Sequence, residues 1–133
     1  MPQRPFRFGV QVRNGADAAS WVANARRYEE LGYAAVTMPD HFDEQLAPIP
    51  ALQAVADATS TIRVGALVFD NDYKHPVVLA KELATFDVLS GGRLDIGLGA
   101  GWMATDYERS GICLLYTSPS PRDQRGSRMP SSA

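Results

Sequence analysis

Cysteine and histidine are scarce in this sequence, and their scarcity limits the chemistry that it can support. The 133 residues include one cysteine, Cys113, and two histidines. A single cysteine forms no internal disulfide, and so few soft ligands argue against a bound metal. Membrane-length apolar runs and a secretory leader are also missing from the sequence pattern. The composition therefore predicts a cytoplasmic protein with neither a metal centre nor cysteine catalysis.

An excess of positive charge is missing too. The chain has 13 Lys and Arg against 15 Asp and Glu, a formal charge of −2. Residues 1–112 alone have 10 against 14, a formal charge of −4, because three arginines and one aspartate lie beyond them. Such a surface does not attract nucleic acid or an anionic membrane. The expected partner is a small-molecule substrate.

Short strand-like runs and helix-like stretches alternate along the chain. The strand-like runs are Phe6–Val12, Ala34–Met38, Ile62–Val68 and Arg93–Leu98. The helical patterns between them cover Asp17–Leu31, Ala51–Ala58 and Pro76–Leu89. Strands that alternate with helices pair in parallel through right-handed crossovers. The sequence predicts an α/β fold of order βαβαβαβ.

Two parallel architectures fit this order, a doubly wound sheet and a (β/α)8 barrel. A dinucleotide-binding doubly wound sheet has a glycine-rich turn after its first strand, but Val12–Gly15 contains one glycine. The glycine cluster instead follows the fourth strand, which favours the barrel. Because a closed barrel needs roughly 250 residues, residues 1–112 are expected to form its N-terminal half.

The character of the sequence changes after Ile112. Residues 113–133 are rich in serine and proline and show no periodicity. One interpretation is a disordered C-terminal tail. The other comes from the genetic code, because back-translation of Cys113–Asp123 resembles a transposase sequencing adapter and Ser127–Ala133 resembles a flow-cell primer region. We therefore predict that residues 113–133 are a non-biological, adapter-derived segment.

Candidate site residues follow the predicted strands, where barrel enzymes place their active sites. Gln11 ends the first strand and is either a substrate hydrogen-bonding group or a polar loop residue. Asp40 and His41 follow the second strand. They could together transfer a proton, or Asp40 could cap a turn beside a solvated His41. His75 precedes Pro76 and most simply marks the start of a helix.

The third and fourth strands end in apolar and glycine-rich segments. Gly65–Asp70 could support a flat ring, or it could be an ordinary buried strand. Gly97–Trp102 (GLGAGW) could bring backbone N–H groups close to a ligand, or its glycines could serve packing alone. Met103–Glu108 could begin an active-site helix, in which Asp106 and Glu108 are expected to be solvated.

Three segments together resemble the luciferase-like monooxygenase family. They are PDHF after strand two, GALVFDNDYKHPVVLAKELATFDVLSGGRLDIGLGAGW across strands three and four, and DYERSGI. The resemblance covers Phe6–Ile112 and is strongest to the branch that uses the deazaflavin coenzyme F-420, with users of flavin mononucleotide (FMN) close behind. It implies an oxidoreductase with one of these cofactors, in a parent enzyme that could be a homodimer.

The resemblance also implies roles for particular residues. His41 would be the catalytic proton donor or electrostatic partner of the reduced cofactor. A cis peptide at Leu67-Val68 would form a bulge behind the cofactor ring. The implied cofactor-binding residues are Asp40, Leu67, Val68, Asp70, Ala100, Gly101, Trp102 and Thr105. Trp102 stands where deazaflavin-dependent sugar-phosphate dehydrogenases carry a catalytic glutamate, which argues against that reaction.

These implications give a leading hypothesis and three rivals. The leading one is hydride transfer between a deazaflavin or flavin and a small organic substrate. The rivals are an FMN-dependent monooxygenase that activates oxygen, a barrel that binds flavin without turnover, and an inactive chain. The last follows because the phosphate-binding loops of such barrels follow strands seven and eight.

Overall fold

The computed structural model describes residues 6–113 as alternating strands and helices. The elements are β1 (Gly9–Gln11), α1 (Ala18–Glu30), β2 (Ala35–Met38), α2 (Pro48–Ala58), β3 (Arg63–Asp70), α3 (Pro76–Leu89), β4 (Leu94–Gly99) and α4 (Ala104–Ser110), with a 3-10 turn at Asn71–Tyr73. The predicted βαβαβαβ order is confirmed. The short helix α4 begins inside the stretch expected to start an active-site helix. No helix in residues 6–113 has the length and apolar character to cross a membrane.

The four strands form one parallel sheet whose spatial order, β1-β2-β3-β4, is the same as their order in the sequence. Val36 pairs with Val10 on one side and with Val64 on the other, and Val64 pairs with Leu94. A dinucleotide-binding doubly wound sheet reverses its strand order at a switch point, whereas this sheet advances in one direction. That is the strand order of a (β/α)8 barrel.

One hydrophobic core lies between the sheet and helices α1 to α3. Val36, Met38 and Val64 project into it from the strands, and Leu52 and Phe86 from the helices, and each is at most 2% exposed. The indole of Trp21 also lies in this core and donates a hydrogen bond to the Ala51 carbonyl oxygen (2.9 Å). This bond joins α1 to α2, so the helices form a continuous layer on one face of the sheet.

Local chemistry explains where the helices begin and end. Asp17 caps α1 by accepting a hydrogen bond from the Ser20 N–H (2.7 Å), and the Ser20 hydroxyl accepts one from the Asp17 N–H. Gly32 follows with a φ of +80°, as expected of a residue that ends a helix. The predicted start of α2 at Ala51 was wrong by three residues. The helix begins at Pro48, because a first turn tolerates prolines that lack an N–H donor.

The strand boundaries differ from the predicted ones in a similar way. β1 is shorter than expected and covers three residues. β3 continues two residues past the predicted end at Val68, because Phe69 and Asp70 resume pairing with Leu98 and Gly99 after an irregularity in the register. Of the predicted segment 113–133, only Cys113 is among the described residues, and residues 114–133 lie outside them.

Arg93 and Glu29 fasten the end of the sheet opposite the loops that follow the strands. Arg93 donates hydrogen bonds to the carbonyl oxygens of Ala56 (2.7 Å) and Ile62 (3.1 Å). Glu29, in the last turn of α1, accepts hydrogen bonds from the backbone N–H groups of residues 60–62. Partial burial opposes its ionisation, but these hydrogen bonds outweigh burial and lower the pKa of Glu29 to about 2.

We expect the Glu29→Gln variant to lose stability in a pH-dependent way. Because the folded pKa is depressed, the carboxylate contributes fully above its ordinary pKa of 4.5, and the contribution disappears as the pH falls through about 2. Allowing for solvent screening, the loss above that window is about 1–2 kcal/mol. Urea unfolding of the wild-type and variant chains across this pH range measures it.

The neighbouring carboxylate provides the matched control. Glu30 forms an exposed ion pair with Arg27 (3.2 Å), and such a pair contributes little. Glu30→Gln should therefore leave the unfolding free energy almost unchanged. If the two variants lose the same unfolding free energy, the hydrogen bonds between Glu29 and residues 60–62 contribute no more than an exposed ion pair.

Candidate functional site

The segments that follow β2, β3 and β4 meet at the carboxyl ends of the strands. Asp40 and His41 follow β2, and Asp70 ends β3. The segment 100–103 connects β4 to α4, which returns Asp106 and Tyr107 to the same edge. The structure thus brings together the predicted residues of three separate segments.

Asp106 is the central residue of this cluster. Its side chain has no exposed surface, and its Oδ2 lies 2.7 Å from Nδ1 of His41. Oδ1 accepts a hydrogen bond from the Phe42 N–H (3.1 Å), and Oδ2 accepts a second one from the Tyr73 hydroxyl (3.0 Å). Burial opposes ionisation of Asp106, but the hydrogen bonds from His41, Phe42 and Tyr73 outweigh it and hold its pKa below the usual value.

The expectation that Asp106 is solvated was therefore wrong. An aspartate in the first turn of a short helix usually faces water, but α4 turns this one inward onto donors from two other segments. Glu108, two residues later, is exposed as expected. The sequence offered one usable signal, since Asp106 follows the end of a parallel strand where ligand-facing groups gather.

Asp40 and Asp70 form a second pair of carboxyl groups beside the first. The Asp40 carboxylate accepts a hydrogen bond from the backbone N–H of Asp70 (3.1 Å). Burial raises the pKa of Asp40 and that of Asp70, and the charge of Asp72 raises the pKa of Asp70 further. The carboxyl groups on either side of His41 thus have pKa values shifted in opposite directions, that of Asp106 lowered and that of Asp40 raised.

Tyr73 and Tyr107, which no sequence pattern indicated as site residues, complete the polar cluster. The Tyr73 hydroxyl donates to Asp106, while the Tyr107 hydroxyl lies 2.8 Å from the Ala100 carbonyl oxygen and 3.0 Å from Asp72. Burial, followed by the neighbouring carboxylates, raises the pKa of both phenols. Both therefore remain protonated donors. Their sequence context resembles ordinary turn and helix residues, so no pattern marked them.

The predicted bulge is present at Leu67 and Val68. Their peptide bond is cis, and the pairing of β3 with β4 shifts register between Ala66 and Phe69. Leu67 is 61% exposed and Val68 36%. A Cβ added at position 97 or 99 would meet the Val68 side chain, so these two strand glycines make room for Val68. The packing interpretation therefore explains both of them.

Gly101 has a different reason to be glycine. Its φ is +69°, and an added Cβ would overlap the Tyr107 hydroxyl and the Asp70 carboxylate. Trp102 follows it with 74% of its surface exposed, and its ring meets the His41 ring edge-on at a centroid distance of 6.0 Å. The turn after β4 thus holds Tyr107 on one side and presents an aromatic wall beside His41 on the other.

A cavity of about 340 Å³ opens beside the residues that follow β2 and the residues at the end of β3. Asp40, His41 and Asp70 line it together with Tyr73 and the first turn of α2. The volume lies at the lower end of the range of small-molecule sites. The carboxyl ends of β2 and β3 therefore contain both polar groups and space for part of a ligand.

The remaining candidate residues lie at the edge of the cluster or away from it. Gln11 and Thr105 are exposed, and Ala100 contributes its carbonyl oxygen to Tyr107. His75 caps α3 by accepting a hydrogen bond from the Val77 N–H (3.3 Å), as its place before Pro76 indicated. Within residues 6–113, no three His, Cys, Asp or Glu side chains are grouped to hold a metal ion.

The sheet order, the helical layer and the polar cluster at the carboxyl ends define an α/β protein of the (β/α)8-barrel class. The chain belongs to the luciferase-like monooxygenase family, whose model matches residues 4–131. The family resemblance read from the sequence is confirmed. The matched range includes most of segment 113–133, so the proposed boundary at residue 112 stays a prediction.

Relatives in this family include both deazaflavin and flavin enzymes. The chain is 33% identical over 98 residues to an F-420-dependent glucose-6-phosphate dehydrogenase of Amycolatopsis mediterranei, covering 68% of this chain and 29% of the relative. It is 39% identical over 66 residues to the oxygenase component of a flavin-dependent trigonelline monooxygenase of Acinetobacter baylyi, covering 48% and 18%.

A solved structure shows the same likeness in three dimensions. The coenzyme F-420-dependent tetrahydromethanopterin reductase of Methanopyrus kandleri superposes with a TM-score of 0.72 at 25% identity, covering 80% of this chain and 30% of that one. The chain thus spans less than a third of the length of each of these three proteins. Its family is that of flavin- or F-420-dependent oxidoreductases and monooxygenases.

Proposed function

We propose that this chain forms one wall of the cofactor site of an oxidoreductase that transfers a hydride between coenzyme F-420 and a small organic substrate. The rest of the barrel would come from a longer polypeptide, called the full-length enzyme below. The proposal takes its cofactor class from the F-420-dependent relatives. The observation that carries it is the pairing of His41 with the buried Asp106 after the strands, together with an exposed apolar bulge in the last residues of β3.

The described residues fit a flat ring cofactor. The bulge at Leu67 and Val68 leaves apolar side chains exposed near the carboxyl end of β3. A flat ring that covered them would remove apolar surface from water, which is favourable. Asp40 and His41 provide polar groups after the neighbouring strand β2, and Trp102 provides an aromatic wall beside His41. These residues would hold the ring, with Asp70, Ala100, Gly101 and Thr105 near its edge.

When bound, the cofactor supplies the hydride chemistry, and the protein supplies position and electrostatics. His41 would hold or donate a proton at the edge of the ring. The ionised Asp106 would keep that imidazole in place. Trp102 would shield one side of the His41 ring from water.

A second candidate function is an FMN-dependent monooxygenase that activates oxygen. The 39% identity to a flavin-dependent monooxygenase favours it. A non-catalytic flavin-binding barrel is the remaining alternative. The three differ in their cofactor and its reactions, because reduced deazaflavin reacts poorly with oxygen whereas reduced flavin reacts readily.

Cofactor titrations of the full-length enzyme test the proposal. We expect F-420 to bind at least about tenfold more tightly than FMN, which corresponds to about 1.4 kcal/mol. Reduced F-420 should be consumed only when a substrate is added, under anaerobic conditions as well as in air. Preferential FMN binding with oxygen consumption would support the monooxygenase, and binding without turnover would support the non-catalytic barrel.

The 133-residue chain itself is expected to bind either cofactor weakly. In barrels of this type the phosphate is usually held by loops after strands seven and eight, so this wall would meet only part of the ligand. Fluorescence titration should give an affinity at least about 100-fold below that of the full-length enzyme, or about 2.7 kcal/mol. Equal affinities would contradict the division of the site between this wall and the rest of the barrel.

A further inference from the structure

Asp106 contacts His41 in a way that restricts where the imidazole can carry its proton. Both Asp106 oxygens lie within 3.1 Å of donors from other segments, namely the Phe42 N–H, the Tyr73 hydroxyl and the His41 ring. The Phe42 N–H can only donate. The Tyr73 phenol stays protonated because burial and Asp106 itself raise its pKa.

The carboxylate has no proton of its own to give. Its pKa lies below the usual value, since the hydrogen bonds from His41, Phe42 and Tyr73 overcome the effect of burial. An ionised carboxylate is an acceptor only, so a 2.7 Å contact to a ring nitrogen requires that nitrogen to carry a hydrogen. The neutral His41 ring must then be protonated at Nδ1.

We infer that Asp106 is a positioning residue that fixes His41 in the Nδ1-protonated tautomer and leaves Nε2 as the nitrogen that exchanges protons at the site. This inference rests on the proposed function, because it assigns a task to the same histidine. A carboxylate that orients an imidazole in this way is a recurrent arrangement in enzymes that use histidine as an acid or base.

The position of Asp106 suits this task. The residue lies in the first turn of α4, where the helix dipole favours a negative charge. Its side chain has no exposed surface and that of His41 is 12% exposed, so water competes little for the Nδ1 contact. Asp40, by contrast, binds the Asp70 N–H and has a raised pKa, so it is not the carboxylate that orients the ring.

Nitrogen-15 NMR of the 133-residue chain tests the tautomer directly. The chain has two histidines, so spectra of histidine-labelled protein are simple, and a His75→Asn variant assigns them. We expect neutral His41 in the wild-type chain to show the Nδ1-protonated pattern. In Asp106→Asn the amide can turn its NH₂ group toward Nδ1, and the Nε2-protonated form should predominate. Retention of the Nδ1-protonated pattern in the variant would overturn the inference.

Kinetics of the full-length enzyme separate orientation from a merely structural role. Asp106→Asn should reduce the rate of hydride transfer by about 100-fold, with cofactor affinity changed by less than about threefold. Glu108→Gln removes an exposed charge on the same helix without touching the cluster. It should retain the Nδ1-protonated tautomer and the wild-type rate.

The possible failures are distinguishable. Normal turnover in Asp106→Asn combined with a large loss in His41→Ala would reject the positioning role and leave the proposed function intact. Normal turnover in both variants would reject the proposed role of His41 itself. If a variant unfolds, its near-ultraviolet circular dichroism signal is lost. The tautomer of His41 in the wild-type chain then decides the inference, and an Nε2-protonated ring would overturn it.

Discussion

Replacement of His41 by alanine in the full-length enzyme is expected to slow hydride transfer by about 10²- to 10⁴-fold, the range that a positioned acid or base contributes. His41 is the protonatable ring that faces both the ionised Asp106 and the exposed Trp102. Its removal also leaves the buried Asp106 carboxylate without one of its three donors. Single-turnover measurement with pre-reduced cofactor isolates this step from product release.

The second histidine makes a suitable control for this variant. His75 caps α3 through a contact to the Val77 N–H, and asparagine can replace that cap. The His75→Asn enzyme should keep the wild-type rate. If the His41→Ala enzyme is as fast as the His75→Asn enzyme, His41 takes no part in the reaction.

Replacement of Gly65 by alanine is expected to destabilise the chain by about 2–4 kcal/mol. A Cβ at position 65 would overlap the backbone carbonyl of Asp95, which is its partner on β4. Since a backbone atom cannot swing away as a side chain does, the two strands must separate. The lower entropy of the unfolded alanine chain offsets at most about 1 kcal/mol of this cost. Urea unfolding of the 133-residue chain measures the difference.

Gly9 offers the same substitution in an open environment. It lies in β1, and an added Cβ would stand 3.4 Å from the Ala35 carbonyl oxygen, an ordinary contact. Gly9→Ala should therefore be neutral or slightly stabilising. If both substitutions lower the unfolding free energy by similar amounts, the cause is the replacement of any strand glycine and not the close approach of β3 and β4.

The sequence was sufficient for the order of elements because that order depends on local patterns. The apolar spacing of α1 and the proline at the start of α3 are readable without knowledge of tertiary contacts. The end of β3 was not readable. Its last two residues pair with β4 only because the backbone shifts register at Leu67 and Val68. The alternation of apolar residues in the sequence does not predict such a shift.

The candidate site was predictable only in part for a related reason. Asp40, His41 and Asp70 lie directly at strand ends, where the barrel pattern directs attention. Asp106, Tyr73 and Tyr107 act through contacts between segments that are 33 to 65 residues apart. Single-sequence reasoning assigns an aspartate on a short helix to the surface, and only the three donors around Asp106 reverse that assignment.

The distance along the chain between His41 and Asp106 also sets an order of assembly. Asp106 is 65 residues downstream of His41, so a ribosome completes all four strands and helices α1 to α3 before it reaches that carboxylate. Contacts of long sequence separation form late, because loop-closure entropy must be overcome first. During translation the sheet can therefore begin to pair while His41 still lacks its acidic partner.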